Sequence, residues 1–268
     1  MSERDGPGGD ARGAAVIPAA AGSAEPGGGR GWAAGVIVMA KAPVPGRVKT
    51  RLCPPCTPEE AAMVAEAALA DTLAAVCATE EAAWRTVALD GDPGPWLPPG
   101  VAVVAQRGRG LDERLAAAFA DAGTPAVVIA ADTPQVTPAL LSQALAALMA
   151  PGVDAVVGPT MDDGYWALGL RRADPRVFVG VPMSHPSTLA AQRDRLAHLG
   201  LAVAPDLPTL RDVDSMDDAR AVAADLPGSR FAAAVAAPSP FHAPEPPNSA
   251  AEAPPPGGTD WAQAGGRR

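Results

Sequence analysis

Aromatic side chains are scarce in this chain, at 4%, and tyrosine occurs once, as Tyr165. The core must therefore come from Ala, Val and Leu, which fits a hydrophobic share of 48%. Positive charge is also in deficit, with a formal net charge of −9 and a pI of about 4.8. Nonspecific nucleic-acid binding needs a basic footprint, so that class is excluded for the chain as a whole. No apolar run reaches the roughly 20 residues that a membrane span needs. The first residues mix Glu3, Arg4, Asp5, Asp10 and Arg12 with Gly and Ala. They lack a sustained apolar segment, so no signal peptide is expected and a cytoplasmic location is. Three cysteines in 268 residues make no disulfide framework. Lysine is the rarest cation: only Lys41 and Lys49, while every other positive side chain is arginine. Both lysines lie in one stretch, AKAPVPGRVKTRL.

Residues 1–33 are rich in Gly, Ala and Pro without a period and read as a disordered leader. Residues 229–268 turn Ala/Pro-rich and read as a disordered tail. Between them, 34–228 is expected to form one domain. Its pattern alternates. GVIVMA, RTVALD, VAVVAQ, AVVIAAD, DAVVGPT, YWALGL and LAVAPDL read as strands. The segments beginning at Thr57, Leu111, Thr137, Pro186 and Ser215 read as helices. Thr57 can cap the first helix, with Pro58 at its first position and Glu59 and Glu60 favoured by its positive end. Such alternation predicts an α/β fold, a three-layer sandwich around a mostly parallel central sheet. In such sheets ligands bind beyond the carboxyl ends of the strands, so the residues that follow each strand are the candidates.

The first strand is followed by Lys41, Arg47, Lys49 and Arg51, with Pro43 and Pro45 stiffening the loop and Gly46 permitting a turn. Stiffened cations at a strand end can cradle phosphate, Lys as a point charge and Arg as a bidentate donor. The loop lacks the G-x-x-x-x-G-K-[ST] pattern of a Walker A motif. Asp132 ends a central strand, with Pro134 turning the chain away, and suits Mg²⁺; a plain turn aspartate fits equally. Asp162, Asp163 and Gly164 form a hairpin-like turn ahead of Tyr165. Asp212 and Asp214 precede the last helix, where one of them can serve as its cap. One basic loop and three acidic clusters at strand ends are what a diphosphate with a divalent metal requires.

At these residues the chain resembles a bacterial family of the glycosyltransferase A superfamily, whose members are described as glycosyltransferases, some linked to arsenosugar biosynthesis. The motifs are AKAPVPGRVKTRL, ADTP, GPTMDDGYWALGL and DVDSMDD, in order over about 35–225. KTRL is also similar to phospholactate guanylyltransferase, and the D-x-P and D-V-D-[ST] pair to sugar-nucleotide cytidylyltransferases. The resemblance implies a nucleotide-diphospho-sugar transferase fold. It implies that Lys41, Pro43, Gly46, Arg47, Lys49 and Arg51 bind the nucleotide phosphates, and that Asp132 and Asp214 hold Mg²⁺ or Mn²⁺. Asp162 and Tyr165 would lie at the sugar or acceptor side. The chain departs from the family pattern where Asp163, Ala130 and Asp112 replace glycines, and where Met183-Ser184-His185 replaces Trp-Ser-Thr.

Cys53-Pro-Pro-Cys56 lacks the further ligands a structural zinc site wants and the setting of a redox site. His185 can be a base or bind substrate. Asp162 or Asp163 is the better candidate for the acceptor base. The expected activity is a metal-dependent transferase that takes a nucleotide-sugar donor and a small-molecule acceptor. Two alternatives stand beside it. One is a nucleotidyltransferase that uses a nucleoside triphosphate, releases pyrophosphate and has Lys49 stabilising the transition-state charge. The other is an inactive nucleotide-binding protein.

Overall fold

The computed structural model describes residues 33–237. A six-stranded sheet runs in the order β3-β2-β1-β4-β6-β5. The strands are β1 (Gly35–Lys41), β2 (Arg85–Asp90), β3 (Ala102–Ala105), β4 (Ala126–Ala130), β5 (Ala155–Pro159) and β6 (Tyr165–Leu170). β3, β2, β1 and β4 pair parallel, and β6 pairs antiparallel with both β4 and β5. Among the described helices, α1 (Pro58–Ala78) and α3 (Pro138–Met149) cover one face; α2 (Leu111–Ala122) and α4 (Thr188–His198) cover the other.

Alternation along each strand feeds two cores. Val36 and Val38 of β1, with Val127 and Ile129 of β4, pack against Leu69, Leu73 and Val76 of α1 and Leu141 and Leu145 of α3. Ile37 and Val128 point the other way, towards Leu115 and Phe119 of α2 and Leu196 of α4. Phe119 and Phe178 stack with centroids 6.1 Å apart in an otherwise largely aliphatic core.

The start of α1 is as expected. Thr57 accepts from the Glu60 amide, and Glu60 accepts from the Thr57 amide, which completes a capping box. By length and composition α1 would pass for a membrane span. In the fold, Leu69, Leu73 and Val76 are instead buried against the sheet.

Two sequence expectations need correction. LAVAPDL is not a strand of the sheet. The segment follows the outer edge of β5 with intermittent bonds, Ala204 N to Ala155 O and Leu207 N to Val157 O. Pro205 and Pro208 have no N–H to give, so a continuous ladder cannot form. The chain from Ser229 does not begin as a disordered tail either. It continues as α6 (Arg230–Ala236), capped by the Ser229 hydroxyl on the Ala232 amide, with Phe231 fully buried. The remaining tail and the leader lie outside the described residues. Two short 3₁₀ turns, Thr50–Leu52 and Pro175–Val177, were not expected from the sequence.

Candidate functional site

The site forms at the carboxyl ends of β1 and β4, where the chain order reverses across the sheet. Two distant segments are stitched there. The Val213 amide donates to the Asp132 carbonyl at 3.1 Å, and the Gln135 side-chain amide donates to the Arg211 carbonyl at 2.8 Å. α5 (Met216–Asp225) follows this segment, capped by Ser215 rather than by either aspartate ahead of it.

A third apolar cluster holds the charged groups in place. Leu52 and Val213 are both buried in it, with Ala61, Val64, Ala219 and Phe231. Each is flanked by charge: Arg51 precedes Leu52, and Asp212 and Asp214 straddle Val213. In an extended segment residues two apart share a face, so burying Val213 turns both aspartates the same way.

The carboxylates gather as a result. Oxygens of Asp162, Asp212 and Asp214 lie within 4.8 Å of one another. Hard oxygen donors of this kind suit Mg²⁺ or Mn²⁺. The Asp212 carboxyl is pushed up to about 6, first by burial and then by the charges of Asp162, Asp132 and Asp214. A bound cation would relieve that repulsion. Asp132 is the fourth member of the neighbourhood, and Lys49 Nζ holds its Oδ2 at 3.3 Å. The same ammonium donates to the Val213 carbonyl. Lys49 thus bridges both stitched segments, and its side chain is only 15% exposed. Arg51 pairs with Asp214 Oδ2 at 2.5 Å.

The turn between β5 and β6 supplies Asp162. Its Oδ1 accepts from the Thr160 hydroxyl at 2.5 Å and from the Gly164 amide at 3.0 Å. A Cβ on Gly164 would lie 2.8 Å from Thr160 Oγ1 and 3.0 Å from Asp162 Oδ1, so this carboxylate seat requires glycine. Asp163, where the family pattern has glycine, keeps a left-handed backbone at φ 65°, which aspartate tolerates better than most residues. Lys49 (φ 46°) and Ser184 (φ 54°) are the other left-handed non-glycine residues among those described. All three border the site, where backbone strain tends to concentrate. Ala130 closes β4 and lines the cleft, and Asp112 lies in the first turn of α2.

The cations divide into two groups. Lys49 and Arg51 face the carboxylates, whereas Lys41 and Arg47 line a separate cleft with Asp90 and Asp92 at the end of β2. Asp90 is tied to Arg114 at 2.8 Å, and that guanidinium holds its carboxyl below the usual range, helped by Lys41 and Arg47. Gly46, at φ 74°, turns the loop just ahead of Arg47. Pro43 is half-buried within it.

Asp132, Asp162, Asp212, Tyr165 and His185 line a cleft of about 180 Å³ on the other side of β4. The Tyr165 hydroxyl contacts Gln192 Oε1 at 3.5 Å, and burial pushes its phenol up, so it stays protonated. His185 Nδ1 accepts from the Ser187 amide at 3.2 Å, which leaves Nε2 for a ligand. Asp163 does not line this cleft; its carbonyl accepts from the Leu189 amide. Sequence analysis placed Asp212 in an acidic cluster and as a possible cap, and gave the metal to Asp132 and Asp214 alone. The D-x-D spacing around an apolar residue was the signal that could have raised it.

Cys53 and Cys56 flank the site from behind, with Cys56 Sγ 3.3 Å from Met216 Sδ. Burial, then the charge of Glu60, pushes both thiols up, away from the thiolate that redox or metal chemistry needs.

Among curated proteins none matches this chain. Of solved structures, one similar to it is a protein from Desulfovibrio desulfuricans G20, provisionally described as a nucleotide-diphospho-sugar transferase. It is 27% identical, with a TM-score of 0.67 over 75% of this chain and 93% of that one. Two distant likenesses have TM-scores below 0.5. They are CMP:2-keto-3-deoxy-manno-octonic acid synthetase complexed with CTP (12% identity, TM-score 0.45, 72% and 99% covered) and Rv0371c of Mycobacterium tuberculosis H37Rv with manganese (22%, 0.40, 70% and 96%). The fold is thus the α/β sandwich expected, of the nucleotide-diphospho-sugar transferase type, and residues 61–185 match the model of the family described as "Uncharacterized protein conserved in bacteria (DUF2064)".

Proposed function

We propose that this protein is a metal-dependent transferase that uses a nucleotide-diphosphate-sugar donor. One observation carries the reading: Lys49 bridges Asp132 and the Val213 carbonyl beside three carboxylates whose oxygens lie within 4.8 Å. The likeness to the Desulfovibrio protein supports the donor class.

Asp212 and Asp214 would hold Mg²⁺ or Mn²⁺, joined by Asp132 once Lys49 turns to phosphate. The ion would supply charge neutralisation for the leaving diphosphate. Lys49 and Arg51 each sit on a carboxylate in this state, and the diphosphate gives both a new anionic partner. Lys41 and Arg47 extend the cationic surface towards the rest of the nucleotide. Asp162 is the proton acceptor: it lines the cleft, and no cation pairs with it among the described residues. The acceptor hydroxyl passes its proton to Asp162 while its oxygen bonds to the anomeric carbon. The bond from that carbon to the diphosphate oxygen breaks, and the nucleoside diphosphate leaves with the electron pair.

A thermal-shift screen of nucleoside di- and triphosphates and nucleotide-sugars, with and without Mg²⁺ or Mn²⁺, tests the reading. At a hundredfold excess over Kd a ligand stabilises by about 2.7 kcal/mol, which at this size is a shift on the order of 5–10 °C. The shift should require the divalent ion and vanish in Lys49→Ala and Asp214→Asn. Asp162→Asn should keep it while turnover falls by about 10²–10⁴. Release of pyrophosphate from a triphosphate would assign nucleotidyl transfer instead, and no shift with any nucleotide would overturn both.

A further inference from the structure

Resting on that reading, we infer that the acceptor is a neutral alcohol whose hydroxyl is carried on a compact apolar body of ring size. The cleft that meets the carboxylates sets this chemistry. Its walls include Met39, Leu111, Leu115, Val128, Met183 and the Tyr165 ring. Its volume of about 180 Å³ is close to the ~150 Å³ of an apolar cavity that takes benzene.

Most polar side chains of the wall are already engaged. The Thr160 hydroxyl is on Asp162, and the Tyr165 hydroxyl is on Gln192. The Thr188 hydroxyl meets the Pro182 carbonyl at 2.7 Å and accepts from the His185 amide at 3.1 Å. A polyhydroxylated acceptor would bury hydroxyls against apolar walls without partners, at roughly 1–3 kcal/mol each. An anionic acceptor fares worse. The lining carries Asp132, Asp162 and Asp212 and no lysine or arginine. Lys41 and Arg47 line the other cleft. A single alcohol, placed at the carboxylate end with its body against Met39, Leu115 and Met183, matches the apolar wall and leaves its one hydroxyl for the polar groups still open there, the carboxylates and His185 Nε2.

The test uses the full chain with ¹³C-labelled methionine methyls. Met39 and Met183 report on the cleft, while Met161, exposed and outside its lining, is the internal control. Titration with benzyl alcohol or cyclohexylmethanol should shift Met39 and Met183 saturably and leave Met161 fixed. Glucose and phenyl phosphate should bind at least tenfold more weakly. Met183→Lys, a half-buried position, should weaken benzyl alcohol about tenfold and admit phenyl phosphate. Equal or stronger binding of glucose or phenyl phosphate to the wild type overturns the inference, whatever the variant does. Nucleotide titration in parallel separates the two claims. Nucleotide binding without any response to benzyl alcohol sinks the acceptor inference alone. A cleft response with no stabilisation by any nucleotide sinks the transferase reading and leaves the chemistry of the cleft standing.

Discussion

Asp212 shows what a single residue's surroundings do to its proton. Its carboxyl is raised to about 6 by burial and by its acidic neighbours. A carboxyl raised in the folded state contributes stability at low pH that is lost as pH rises through the folded value. Without divalent ions, Asp212→Asn should therefore melt a few degrees above wild type at pH 7.5. The gain should shrink as pH falls through 6 and be gone near pH 4. If the proposed function holds, the order should reverse at pH 7.5 with Mg²⁺ and nucleotide, because the variant would lack one of the carboxylates proposed to hold the ion. Melting curves across pH in EDTA and in Mg²⁺ check both halves. At this scale the lysine pair, Asp132 and Asp214 were legible, and the D-x-D spacing carried a signal for Asp212 that went unused. The salt bridges of Lys49 and Arg51 did not. They join residues 83 and 163 positions apart, and no local pattern encodes which carboxylate meets which cation.

Among the elements, α5 frames the acidic segment. Ser215 and Asp218 cap each other's amides, and Arg211 reaches Asp218 Oδ1 at 3.0 Å. Asp212 and Asp214 thus lie between two residues anchored on one carboxylate. Ser215→Ala should cost about 1 kcal/mol, or roughly 2–4 °C in Tm, and should also weaken the Mg²⁺-dependent shift by loosening Asp214. A cap replaced elsewhere, Thr137→Ala on α3, should cost similar stability and leave that shift unchanged. Helices with caps and strands with apolar runs were readable because their signals are local. The segment after α4 was not. LAVAPDL has a strand's composition, but its ladder is broken by prolines at positions that only pairing with β5 makes critical.

For the whole molecule, α6 carries a lesson about where the domain ends. Composition places the tail from Ser229, yet Phe231 is fully buried in the cluster that also buries Leu52 and Val213. The Asp71 carboxylate of α1 accepts from the Phe231 amide at 2.8 Å and so ties the helix down. Phe231→Ala should cost about 3–5 kcal/mol, and ending the chain at 228 should cost at least as much. Both changes should also lower nucleotide affinity, because that cluster backs Lys49 and Asp214. Tm and ligand-induced shift, measured together on each variant, decide this. An unchanged shift in a destabilised variant would show that the cluster supports the fold alone.

By itself the sequence determined the α/β class, most elements, and the strand ends that bear charge. Those depend on period, caps and composition within a few residues. Only tertiary structure decided that Lys41 and Arg47 line one cleft while Lys49 and Arg51 face the carboxylates, that Asp162 joins Asp212 and Asp214, and that an Ala-rich stretch after Ser229 is a packed helix. Each of these follows from which buried side chains share a cluster across the chain, and burial of that kind has no signature in local sequence.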